Sequence, residues 1–426
     1  MRPLGRRWES GGSMTLQAEA RTHAHQRGSA GYRRITLALF AAGLTTFVSM
    51  YSAQAVLPTF SEYFGVSPAT SALAVSVTTG FLALAIVPAS VLSERYGRRR
   101  VMAISAAASS AIGLLLPLSP SIEVLLACRA AQGIALAGVP AVAMAYLAEE
   151  IHSDSLGAAA GRYIAGTTIG GLVGRLIPAA VLDLTSWRWA MECAAIAATA
   201  FALIFVRELP ESRYFTSRRV GIRSTVANLA AHLRNPALLS LFTLGFVLMG
   251  GFVTVYNYLG YRLMAAPFHL SQAVIGSVFL LYLAGTVSSA AAGRSADRFG
   301  RSQVLTVSVV VASVGLLATL ANSIAWILIG VALFTAGFFG AHSVASGWVS
   351  RIATVHRAEA SSLYLFGYYF GSAIAGAVGG IAFHAAGWNG LTIFVGVLLV
   401  AALLLAFGLR RLVRTRRPES GAPSLT

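Results

Sequence analysis

The sequence predicts an all-α polytopic membrane protein of twelve transmembrane helices arranged as two pseudo-symmetric six-helix bundles. Three observations carry that expectation. Of 426 residues, 56% are hydrophobic and the mean hydropathy is +0.71, more apolar surface than a water-facing fold can hide. The arginines gather in alternate loops, and a charged motif returns half a chain after its first occurrence.

Apolar runs of about 18 or more residues mark the spans. They lie near 35–57, 69–92, 100–119, 122–148, 158–182, 189–207, 237–261, 273–293, 303–321, 324–347, 358–383 and 388–409. Unpaired backbone is too costly in hydrocarbon, so each run is expected to be a helix with its connections at the interfaces. The first run follows Arg33-Arg34 and holds Ala53-Gln54-Ala55, which resembles a signal-peptide cleavage site. Cleavage there would leave eleven spans and spoil the arginine alternation. Met14 is an alternative start. Span 2 ends in the first motif copy, span 4 carries Arg129, and span 5 is the glycine-rich GTTIGGLVGRLIPAAV. The polar stretch 208–236 divides the chain, span 8 ends in the second motif copy, and span 10 contains His342. The organisation expected is a disordered basic tail (1–34), a first bundle (35–207), a central loop (208–236), a second bundle (237–409) and a basic tail (410–426).

All 32 basic residues are arginine, and 28 of them fall in the two tails and the loops after even-numbered spans. The other loops hold only Arg188 and Arg262, and the membrane holds Arg129 and Arg175. That asymmetry places both termini in the cytoplasm of a cell inner membrane and supports an even number of spans. Because the net charge of +17 is dispersed in this way, a nucleic-acid partner is not expected. The expected surroundings are lipid bilayer, with a small-molecule substrate and a monomeric state. Cys128 and Cys193 lie in apolar runs without metal-ligand spacing and read as structural thiols.

The motif aligns Glu94, Arg95, Gly97 and Arg98 with Asp297, Arg298, Gly300 and Arg301, at an offset of 203 residues. Gly166-x-x-x-Gly170 and Gly367-x-x-x-Gly371 repeat at nearly the same offset, so spans 5 and 11 are expected to pack closely in equivalent places. Gly293, Asp297, Arg298, Gly300 and Arg301 resemble the G-x-x-x-D-R-x-G-R motif of the major facilitator superfamily. The first copy departs from it at Ser90 and Glu94. Arg129-x-x-Gln132-Gly133 is similar to the R-x-x-Q-G element of that superfamily's drug:proton antiporters. GGLVGR (170–175), YNYLGYRL (256–263), APFHLS (266–271) and YLFGYYFGS (364–372) look like its YnfM-type, acriflavine-sensitivity branch.

The resemblance implies the major facilitator fold and an alternating-access carrier, most simply a proton-coupled exporter of amphipathic or drug-like molecules. It implies no cofactor, with the proton gradient as energy source. Glu94 and Asp297 are each expected to pair with an arginine or a helix N-terminus across the half-to-half interface, as a gate. Partners at hand are Glu149, Glu150, Arg162, Arg351, Arg357 and Glu359. Intramembrane charge is expensive, which makes Arg129, with Gln132, and Arg175 coupling or substrate candidates. No carboxylate lies near a span midpoint. Gln54 and the titratable His342 are the remaining polar candidates, and the missing acid leaves neutral, zwitterionic or anionic substrates open. Tyr256 and Asn257 in span 7, with Tyr364 and Tyr368 one turn apart in span 11, can hold a planar substrate. Clustered catalytic residues and nucleotide-binding motifs are missing from the sequence, so an enzyme is not expected. Uptake or facilitated diffusion of a small neutral or anionic solute, and a transport-dead sensor on the same fold, are the competing readings.

Overall fold

The computed structural model describes residues 25–213, 215 and 222–414. Among these residues twelve apolar helices follow one another. In the first half they are α1 (Ala30–Phe64), α2 (Pro68–Tyr96), α3 (Arg98–Leu118), α4 (Ile122–Glu150), α5 (Ser153–Leu182) and α6 (Trp187–Glu208). A short connecting helix, Ile222–Leu233, leads to α7 (Pro236–Met264), α8 (Gln272–Phe299), α9 (Arg301–Ala318) and α10 (Ile324–Ile352). Helices α11 (357–385) and α12 (388–414) are continuous except for a sharp break at Ala386 and Gly387, where the backbone leaves the helical region. Gly387, at φ +57°, provides that break because it bears no Cβ.

Several boundaries differ from those expected. The first helix starts at Ala30, where the Ser29 hydroxyl accepts from the Tyr32 amide. His25 is tied to the turn after α4, its amide donating to the Glu150 carbonyl (3.0 Å) and its carbonyl accepting from the His152 amide (3.2 Å). Residues 25–34 are therefore held by hydrogen bonds to the α4–α5 turn and by the start of α1, and the tail reading for 1–24 lies outside the described residues. At the other end α12 runs on through Arg414, and the remainder of the predicted tail lies outside the described residues. The central segment is partly helical because residues 222–233 have an amphipathic pattern.

The duplication is visible in the packing. Gly166 and Gly170 of α5 lie on the α1 backbone at Phe40 and Leu44, and Gly367 and Gly371 of α11 lie on α7 at Phe242 and Phe246. A Cβ on Gly170 would sit 2.8 Å from Leu44 Cα, and one on Gly367 2.8 Å from the Phe242 carbonyl oxygen. Such spacing excludes any larger residue. The halves meet along α2 with α11 and, by the same symmetry, α5 with α8. Leu84, Leu203, Ile393, Val397 and Leu404 point outward, an apolar exterior suited only to lipid.

Gly97 (φ +99°, ψ 142°) and Gly300 (φ +90°, ψ 140°) turn the chain between α2 and α3 and between α8 and α9 in one shared conformation. The motif needs glycine there because φ is positive with an extended ψ, a region costly to a Cβ. Close helix approach does not require glycine here: Gly293 and Gly300 have open space around a notional Cβ.

Candidate functional site

The site is organised by a defect in α1. Residues Ser52–Val56 form a 3₁₀ turn within the span, which interrupts the i to i+4 ladder and leaves carbonyls short of donors. Arg129, fully buried on α4, supplies them. Its Nη2 donates to the Met50 carbonyl (2.7 Å), Nη1 to that of Ser49 (2.8 Å) and Nε to that of Ala74 (2.8 Å). Nη1 also donates to Gln132 Oε1 (2.6 Å), whose Nε2 donates to the Ser109 carbonyl (3.1 Å). The Arg-x-x-Gln pair thus stitches α4 to α1, α2 and α3. Gly133 beside it rests on the Thr78 backbone. Arg129 and Gln132 are satisfied by backbone carbonyls and by each other, apart from the aromatic cluster described below.

Arg175 is equally buried but differently satisfied. Its Nε donates to Gln54 Oε1 (2.6 Å), and Gln54 Nε2 donates to Asn257 Oδ1 (2.6 Å). Nη1 donates to the Gly171 carbonyl. Gln54 and Asn257 are 203 residues apart, the offset of the duplicated motif, so the chain has placed symmetry-equivalent amides of α1 and α7 in contact on the pseudo-two-fold axis. The guanidinium lies between the rings of Tyr51 (4.0 Å) and Tyr282 (4.4 Å), one from each half, with Phe279 at 5.4 Å. Among the described residues no carboxylate pairs with it.

Aromatic rings continue from this centre. Tyr256 packs on Tyr282 (4.7 Å) and its hydroxyl bonds the Thr335 hydroxyl (2.7 Å). His342 Nδ1 and the Tyr364 hydroxyl share a hydrogen bond (2.9 Å), and Tyr368 packs against the imidazole (4.6 Å). Tyr364 and Tyr368 thus face the same histidine, as one-turn spacing allows. Sequence reasoning missed Tyr282, Phe279, Phe252 and Phe338, the last two stacked at 3.9 Å. Their one available signal was position: Tyr282 lies ten residues into α8, near the depth of Arg175 in antiparallel α5.

Among the described residues, most hydrogen bonds that join the halves lie on the face opposite the motif loops, while the Ser372 hydroxyl meets that of Thr79 (3.3 Å) near the middle of α11 and α2. Beyond Gln54 and Asn257 lie Ser61 with Tyr261 (2.6 Å), Tyr261 with the Leu57 carbonyl (2.8 Å) and Gln272 with Thr59 (3.3 Å). The Ala273 amide donates to Asp183 (3.0 Å). The motif charges pair differently. Arg98 Nη2 meets Glu94 (2.7 Å) and Glu149 (2.9 Å), all within the first half. Asp297 meets Arg301 (3.2 Å) and Arg351 (3.6 Å) within the second. The cross-half pairing expected of Glu94 and Asp297 is not what these carboxylates form. The arginine four residues on lies across the glycine turn and is the nearer partner. Arg95 and Arg298 lie over the adjacent Tyr96 (5.2 Å) and Phe299 (5.1 Å), again equivalently.

Comparison with known proteins agrees with this architecture. Residues 39–263 and 251–425 match the Major Facilitator Superfamily. The chain is 45% identical to the inner membrane transport protein YnfM of Escherichia coli, over 91% of this chain and 93% of that protein. It is 40% identical to the uncharacterized MFS-type transporter YybF of Bacillus subtilis, over 93% and 98%. Among solved structures it superimposes on a bacterial homologue of the lysosomal transporter Spinster (TM-score 0.73, 17% identity, 92% of this chain and 100% of that one). The xylose transporter XylE of E. coli gives a TM-score of 0.70 at 15% identity, with 93% and 100% covered. These relatives are transporters, not enzymes, and the chain belongs to the major facilitator superfamily, as a transporter of the YnfM type.

Proposed function

We infer that the protein is a secondary active transporter working by alternating access, and that it exports small amphipathic molecules in exchange for protons. The observation that carries this reading is the distribution of contacts between the halves. Most of their hydrogen bonds close the face away from the motif loops, with the Arg175 centre and its aromatic rings directly behind. Alternating access then leaves the motif face as the side through which the carrier opens. The arginine asymmetry makes that face cytoplasmic, and the name of the E. coli relative supports the inner membrane as its location. His342, hydrogen-bonded to Tyr364 beside the half-buried Tyr368, is the titratable group best placed to respond to a proton. A buried guanidinium without an acid beside it favours neutral or anionic cargo over cations.

The test is dye accumulation in inverted membrane vesicles with and without a pH gradient. Accumulation should need the gradient and collapse with a protonophore. Undiminished transport after the gradient is dissipated, with sodium absent, would replace antiport by facilitated diffusion.

A further inference from the structure

Arginine donates and never accepts, and that fixes the direction of the whole chain at the centre. Arg175 Nε must donate to Gln54 through the amide oxygen. The Gln54 nitrogen must then donate to the Asn257 oxygen. Asn257 Nδ2 is left pointing onward, buried and without a partner. The centre is therefore donor-rich and acid-free: a cation at one end, an unsatisfied N–H at the other, and neutral amides between. Gln54 offers the guanidinium one neutral oxygen, where a carboxylate offers two charged ones in the planar fork geometry that arginine prefers. The flat faces of Tyr51 and Tyr282 on either side suit an aryl group attached to that carboxylate. Gln54 borders a water-sized cavity with Pro58, Tyr256, Gln272 and Phe279.

We propose that Arg175 is the recognition point for the carboxylate of a planar organic anion. By taking the guanidinium from Gln54, the anion frees Gln54 to turn away from Asn257 and loosens one of the hydrogen bonds that join the halves. This rests on the alternating-access reading and adds to it a substrate class and a coupling device. One bond is exchanged for a stronger one, and the cost of parting the halves is offset at the moment the cargo arrives. Tyr51 and Tyr282 belong to different halves, so the box that encloses Arg175 opens and closes with the gate itself.

The experiment uses the full chain in lipid nanodiscs, with 2-naphthoate and its uncharged counterpart 2-naphthamide as probes. A Thr59→Cys variant reports on the opposite face through labelling by an impermeant maleimide. Naphthoate should bind and raise Thr59→Cys labelling several-fold, and naphthamide should do neither. Gln54→Glu, which keeps the shape but installs an internal carboxylate for Arg175, should weaken naphthoate binding at least tenfold without unfolding the protein. Arg175→Gln should abolish it, and Arg175→Lys should retain a part. Equal binding of the two probes, or naphthoate binding unchanged in Gln54→Glu, would overturn the proposal. Proton-driven dye transport that survives such a result would show that the exporter reading stands while the anion site falls.

Discussion

At the residue scale, the two intramembrane arginines look alike in sequence and behave differently in the fold. Arg129 spends its donors on three backbone carbonyls and one side-chain amide, so its removal leaves buried acceptors without partners. Arg129→Ala should destabilise the protein by about 3–5 kcal/mol, read as a lower thermal midpoint in detergent and reduced yield. Arg129→Lys, which cannot span all four acceptors, should fall between the two and keep part of the transport activity. A wild-type melting curve for the alanine variant would remove its structural role. The motif acids differ too. Arg98 has a side chain only 7% exposed between Glu94 and Glu149, whereas Asp297 is 66% exposed. Asp297→Asn should therefore change stability by about 1 kcal/mol or less, and Arg98→Ala by several times that, measured by chemical or thermal unfolding. Both acid replacements, Glu94→Gln and Asp297→Asn, should still slow transport if the loops take part in gating.

At the scale of elements, glycine does two separate jobs. In α5 and α11 it removes a side chain so that backbones meet, and in the motif loops it permits a positive φ. Gly371→Ala would drive a methyl into the Phe246 carbonyl and should cost about 1–3 kcal/mol by overpacking. Gly161→Ala, at a helical position with open space around it, should be neutral or stabilise by about 0.5–1 kcal/mol. Gly97→Ala and Gly300→Ala should each cost about 1–2 kcal/mol from backbone strain, although neither crowds a neighbour. Thermal midpoints of the four variants in one detergent separate the mechanisms. Equal losses at Gly371 and Gly161 would contradict the packing account.

At the scale of the whole molecule, the arginine distribution predicts sidedness. In a background with Cys128 and Cys193 replaced by serine, Asp154→Cys lies in the exposed first turn of α5, and Leu184→Cys in the exposed turn after α5. An impermeant maleimide added to intact cells should label Leu184→Cys and spare Asp154→Cys. The reverse pattern would invert the orientation and, with it, the direction assigned to the open face.

The sequence by itself determined the number of helices, their order and the duplication, because lipid imposes a length and an apolar composition that each span must meet alone. It also marked Arg129, Arg175 and Gln54 as polar groups needing explanation, since charge in a span is visible without a structure. Tertiary structure alone decided what those groups do. Arg129 turned inward to repair a helix break whose position no composition reveals, and the motif acids chose partners on their own side. Gln54 and Asn257 lie in separate spans, and their shared offset with the motif is legible only after the fact. Their meeting on the symmetry axis depends on how two bundles face each other, a long-range arrangement that local apolar periodicity does not encode.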